Sequence, residues 1–213
     1  MNIRELGKYV AFVGSDEAGK GEWLGPLTIA AVALSEKQSL YLVTQGVMDS
    51  KKLKLEKILE LAKTIRSSCL SYHAITISPL AFNRLMKKMK EESRSLNDIL
   101  AWGHSKAIAN VLEELAKKGI SGRIKLSIDM FDKIKTEKRL KRILDLGKFD
   151  LDHRPKAEEE TSVAAASIIA RSVRELWIDV KSKELKIDLR KLSTTDAKSD
   201  PNAQFFAKLN FLK

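Results

Sequence analysis

Cysteine is almost missing from this chain. Cys69 is the single copy in 213 residues, which excludes an intrachain disulfide and a multi-cysteine zinc site. Histidine is scarce too: His73, His104 and His153 are scattered, and each reads as a surface or packing residue rather than a zinc ligand. No stretch approaches the roughly 18 apolar residues of a membrane helix. The opening MNIRELGKYV has no apolar segment of the kind a secretory signal needs. Internal repeats and low-complexity tracts are absent. A soluble, cytoplasmic chain without membrane association is the expectation.

Negative charge is in deficit. Against 39 Lys and Arg stand 28 Asp and Glu, for a formal charge of +11. Such a balance favours an anionic polymer as partner and says nothing about fold; a structural RNA binder would share it. The length suffices to bury a substantial core in one domain, or in one domain with an appendage.

On this basic background two adjacent acids stand out. Tyr9 to Val13 reads as a buried strand, and Asp16 and Glu17 follow it in VGSDEAGKGEWLGP, Val13 to Pro26. Neighbouring strand residues point to opposite faces, so serving one site requires the chain to leave ideal strand geometry at the acids. Gly19, Gly21 and Gly25 permit such a turn and a close backbone approach by a ligand. Two carboxylates at the end of a buried strand are costly without a positive partner, and a divalent metal, which prefers oxygen ligands, supplies one. Two other readings compete. Leu27 to Leu34 is also strand-like, which fits a tight hairpin with solvated acids. Gly14-x-x-x-x-Gly19-Lys20 follows a phosphate-loop pattern until Gly21 stands where Ser or Thr is needed, and both acids would repel a triphosphate.

The rest of the chain alternates strands and helices. Leu55, Ile58, Leu59, Ala62 and Ile65 share a face, which predicts a helix over about 50–67. Its entry, Asp49-Ser50-Lys51-Lys52, reads either as a cap with a solvated basic turn or as two lysines near a phosphate site. Leu70 to Ile77 alternates as a strand. Ser78-Pro79 then opens a helix with Phe82, Leu85, Met86 and Met89 on one face. A further helix is expected from Leu96 to Lys117, with Leu100, Ala107, Val111 and Leu115 inward. Ile124, Leu126 and Ile128 alternate in a strand that ends in Asp129, at the carboxyl end where sheets flanked by helices bind ligands; a turn or capping Asp is the plainer alternative. A short basic helix, Thr136 to Leu146, and a strand near Phe149 follow. Glu158, Glu159 and Glu160 suit the start of a helix dipole. That helix has only small residues from Ala164 to Ser167, which lets it lie close to a sheet or a nucleic-acid backbone. Lys181 to Lys198 reads as helix tail and linker, and Asp200-Pro201 opens a last amphipathic helix bearing Phe205, Phe206, Leu209 and Leu212.

Four separated segments, GSDEAGKGEWLGPL, DSKKL, the strand ending IDMFD, and KAEEETSVAAASIIAR, resemble in order the type 2 ribonucleases H, the HII and HIII group. IDMFD, the run Asn97 to His104 and the ending Ala207 to Phe211 resemble HIII more than HII, although HIII usually has His where Asn210 stands. HIII proteins carry an extra N-terminal substrate-binding domain, whereas this sequence opens almost directly at the strand before Asp16. HII proteins carry Gly-Arg-Gly where Gly19-Lys20-Gly21 stands, and a later Tyr that is missing after Tyr72.

The resemblance implies an α/β, RNase H-like fold: a central mixed sheet flanked by helices, forming a catalytic domain over 1–184, with a helical C-terminal extension over 185–213. It implies a monomeric endonuclease that hydrolyses the RNA strand of RNA–DNA hybrids with two Mg²⁺ or Mn²⁺ ions, leaving 5′-phosphate and 3′-hydroxyl ends. Asp16, Glu17 and Asp129 match the family's first three metal-binding acids. Glu158 matches the fourth, since choosing Glu159 or Glu160 shortens an already short interval to Ser167. Substrate contacts fall on Gly19, Lys20, Gly21, Ser50, Lys51, Lys52, Asn97 and Ser167. Two rival classes remain: a non-catalytic nucleic-acid-binding protein, and a nuclease on the same fold directed at DNA junctions.

Overall fold

The computed structural model describes residues 7–48, 50–129, 149–154 and 160–212, the side chains of 52, 129 and 152–154 excepted. Five strands form one mixed sheet: β1 (Ala11–Ala18), β2 (Leu27–Leu34), β3 (Ser71–Ile77), β4 (Ile124–Asp129) and β5 (Phe149–Arg154), in the order β3-β2-β1-β4-β5. β1 pairs antiparallel with β2 and parallel with β4; β2–β3 is antiparallel and β4–β5 parallel.

The period-2 alternation of strand side chains sorts the core into two layers. On one face Ala30, Val32 and Leu34 of β2 pack with α1 (Glu36–Thr44), α2 (Leu55–Ser68) and α5 (Thr161–Leu185). On the other, Ala11 and Val13 of β1, Ala31 and Ala33 of β2, and Ile124, Leu126 and Ile128 of β4 pack with α4 (Leu96–Lys117). A helix, α3 (Pro79–Glu91), started by Ser78 accepting from the Ala81 amide, buries Phe82 and Met89 beside Ile99 and Leu100 of α4. Sheet and helices thus form three layers, as the family resemblance implied.

Several local expectations change. β1 does not leave strand geometry at the acids: Asp16 pairs with Ala30 and Glu17 with Ile29 in regular register. The helix expected over 50–67 is two pieces. Ser50–Lys52 is a separate 3₁₀ turn, and α2 begins at Leu55 with Lys54 as its cap, because the Ser50 hydroxyl contacts Ser167 instead of capping a helix. α1 was not anticipated; it opens with a capping box in which Ser35 and Gln38 satisfy each other's backbone amides. The last amphipathic helix is also broken. α6 (Thr194–Ser199) and α7 (Ala203–Phe206) are short, and at Ala207 the chain becomes extended to bridge Leu24. The helix expected over Thr136–Leu146 lies outside the described residues. Among the described residues no helix is long and apolar enough to cross a membrane.

Candidate active site

Asp16 and Glu17 reach one cleft from opposite faces of the sheet. Gly14 lies against α5 and Ser15 against α4, so alternation assigns Asp16 to the α5 face and Glu17 to the α4 face. The pairing of β1 with β4 ends here, while β1 and β2 stay paired through Ala18 and Thr28. The β1–β4 register runs to Ser15 and Ile128, and the next positions on the two parallel strands are Asp16 and Asp129, about 4.8 Å apart by strand spacing. The backbone of Asp129 therefore arrives beside Asp16; its side chain, and all of Glu158, lie outside the described residues.

An open cleft of about 440 Å³ occupies this end of the sheet. It brings together Asp16, Glu17, Gly19, Lys20 and Gly21 from β1 and its loop, Ser50 and Lys51 from the 3₁₀ turn, and Ser167 from α5. Lys52 belongs to the same turn, with its side chain outside the described residues. Asn97 is not among the described residues that line the cleft. It lies seven residues before His104 on α4, a rise of about 10 Å.

The surroundings of Glu17 follow from hydrogen-bond accounting. Ser15 Oγ donates to the Ala30 carbonyl at 2.7 Å, which uses its one proton. The 2.8 Å contact between Ser15 Oγ and His104 Nδ1 is therefore donated by the imidazole. His104 Nε2 then faces Glu17 Oε2 at 3.1 Å, and Lys20 Nζ lies 3.3 Å from Oε1. Burial pushes the Glu17 carboxyl up, but the hydrogen bond and charge of His104, and then Lys20, outweigh it and hold the group down at about 2. Glu17 is a carboxylate at any physiological pH. Asp16 Oδ1 accepts the Glu17 amide at 2.8 Å.

α5 closes the cleft floor by lying unusually near β1. A Cβ at Gly14 would sit 2.2 Å from backbone atoms of Ser162 and Val163, so only glycine fits. Ala164, Ala165 and Ala166 continue that contact, as their size led us to expect. One turn on, Ser167 Oγ meets Ser50 Oγ at 2.5 Å, and Arg171 Nη1 donates to the Ser50 carbonyl at 2.5 Å. The lysine turn is thereby docked on α5 with Lys51 at the cleft. Glu160, the cap residue of α5, pairs instead with buried Lys125 at 3.2 Å, four positions upstream of Asp129 on β4. His104, Arg171 and Arg174 were missed as site residues by sequence reasoning. His104 was legible, since it falls four after Leu100 and three before Ala107 on the inward face of α4.

Among the described residues no three His, Cys, Asp or Glu side chains converge as a metal centre. The donors present nonetheless suit a hard cation: two carboxylates of adjacent residues, one of them held ionised, with Asp129 delivered alongside.

A sequence profile described as Ribonuclease HII matches residues 13–213. The ribonuclease HIII of Protochlamydia amoebophila is 37% identical over 185 residues, which cover 86% of this chain and 57% of that protein. The chain thus spans little more than half the length of that relative. A Bst ribonuclease HIII solved in complex with Mn²⁺ superposes with a TM-score of 0.79 at 23% identity, covering 98% of this chain and 68% of that one. The ribonuclease H2 of Pyrococcus horikoshii OT3 gives 0.66 at 25% identity, over 82% of this chain and 77% of its own. The profile covers nearly the whole chain and the relatives carry ribonuclease H names: the chain belongs to the ribonuclease HII family.

Proposed function

We propose that the chain is a metal-dependent ribonuclease H, an endonuclease that cleaves the RNA strand of RNA–DNA hybrids and leaves 5′-phosphate and 3′-hydroxyl ends. The observation that carries this reading is the pair Asp16 and Glu17 at the carboxyl end of the central strand, in a cleft that also holds the docked Lys51 and Arg171. The names of its relatives and the Mn²⁺ in the Bst protein support it.

Asp16, Glu17, Asp129 and Glu158 would hold two divalent ions, Mg²⁺ or Mn²⁺. Bound there, such ions supply an activated water and neutralise charge at the phosphate. The chain's own residues do the rest. The Ser15–His104 relay holds Glu17 as a carboxylate aimed into the cleft. Lys51 presents a cation to the backbone of the entering strand, Lys52 would add a second, and Lys20 sits where it can exchange Glu17 for a phosphate. Gly19–Gly21 offers bare backbone to a ribose 2′-hydroxyl, the group that separates RNA from DNA. Ser50, Ser167 and Asn97 would complete the substrate contacts.

Three labelled substrates test the reading with each metal: a long hybrid, a duplex containing one ribonucleotide, and plain DNA. The hybrid is expected to be cut in Mg²⁺ or Mn²⁺ and plain DNA to stay intact. Equal cleavage of plain DNA, or no cleavage of hybrid with either metal, would overturn it.

A further inference from the structure

The loop between β1 and β2, residues 19–26, is braced from two sides. From α5, the buried Arg174 donates through Nη2 to the Leu24 carbonyl at 3.0 Å and to the Glu22 carboxylate, and through Nη1 to Glu175 at 2.5 Å. From the C-terminal end, the extended segment after α7 pairs with the loop as a strand would. The Gly25 amide donates to Phe206 at 2.9 Å and the Lys208 amide to Trp23 at 2.7 Å.

Lys208 stands in this seam. Its side chain is fully buried, Nζ donates to the Gly25 carbonyl at 2.5 Å, and it lies 5.9 Å from the centre of the Phe82 ring. Burying a lysine is costly, and an apolar chain of equal length would fill the same space. The amine therefore has a use at the atom it reaches. That atom belongs to the residue before Pro26, and the Pro26 carbonyl lies only 2.3 Å from where a Cβ on Gly19 would be, at φ +83°. The loop thus closes on itself, with Gly19 packed against Pro26, the residue that follows Gly25.

We propose that Lys208 is a positioning residue for substrate selection: by holding the Gly25 carbonyl it fixes the backbone of Gly19–Gly21 against an entering ribose. The inference rests on the hybrid specificity proposed above.

The test compares wild type, Lys208→Met and Lys208→Gln by amide hydrogen exchange and by binding of labelled hybrid and all-DNA duplex in EDTA, where nothing is cleaved. In Lys208→Met, residues 19–26 should exchange faster while β1 is unchanged. Hybrid affinity should fall about tenfold and DNA affinity less than about twofold, the scale of one lost hydrogen bond. Lys208→Gln, which keeps a donor, should recover most of both. Unchanged loop exchange in folded Lys208→Met, or equal loss for both duplexes, overturns the proposal. If Lys208→Met does not fold, Asn83→Ala takes its place under the same criteria, because Asn83 clips the same segment from α3 through Ala207 and Leu209, each at 2.9 Å. A wild type that binds hybrid no better than DNA would sink the hybrid reading and the selection role with it, while loop exchange would still decide whether Lys208 braces the loop.

Discussion

His104 Nε2 lies 3.1 Å from Glu17 Oε2, while Nδ1 of the same ring is anchored on Ser15. The ring is 1% exposed and so shielded from water. His104→Ala is expected to cost about 1–3 kcal/mol of stability in urea unfolding, the penalty for stranding a buried polar group. It should also weaken Mn²⁺ binding by calorimetry about tenfold or more, since groups that orient metal ligands matter on that scale. Unaltered stability and metal binding would remove His104 from the site.

Most of the scaffold could be read from periodicity. α4 runs from Leu96 to Lys117 as its apolar spacing predicts, and β2 is buried throughout, as LTIAAVAL implies. What escaped depends on tertiary partners. α1 exposes Leu40, Tyr41 and Val43, which blurs its amphipathic face, and only the Ser35–Gln38 box announces it. The acids needed no turn, because β1 stays paired with β2 through them while its pairing with β4 ends one residue before, opening the cleft beside them. Lys208 looks like an ordinary surface lysine until its amine is seen buried between the Phe82 ring and the Gly25 carbonyl. Ser50 looks like a helix cap, but its hydroxyl is taken by Ser167, 117 residues away.

Arg171 docks the lysine turn through the Ser50 carbonyl at 2.5 Å. Arg171→Ala should lower hybrid affinity, and its plot of log affinity against log salt should flatten by about one unit, as for one lost phosphate contact. Arg171→Lys should recover part of the slope. An identical salt slope in folded Arg171→Ala would count against the docking role.

Gly14 is where α5 touches the sheet. Gly14→Ala puts a methyl 2.2 Å from the α5 backbone and is expected to destabilise by about 3 kcal/mol or more. An unchanged urea midpoint would mean that α5 can lift without cost.

Burial, and then the nearby Arg174 charge, push the Lys208 amine down from 10.5 to about 7, with Glu22 pulling the other way; Glu175 is paired with that same Arg174. Unfolded, the lysine keeps its proton to about 10.5, so between about pH 7 and 10.5 the unfolded chain binds more protons. Stability owed to this residue therefore rises with pH across that window, by at most about 1.4 kcal/mol per pH unit, and its full penalty applies below it. Urea unfolding of wild type and Lys208→Met from pH 7 to 10 checks this, with the variant expected to lack the rise.

The most direct test of the paired-acid cleft is the cleavage rate of an RNA–DNA hybrid by Asp16→Asn in saturating Mn²⁺. A loss of at least about 10²-fold, with hybrid binding retained, is the expected result if Asp16 holds the ions that act on the phosphate. Cleavage at the wild-type rate would contradict the account.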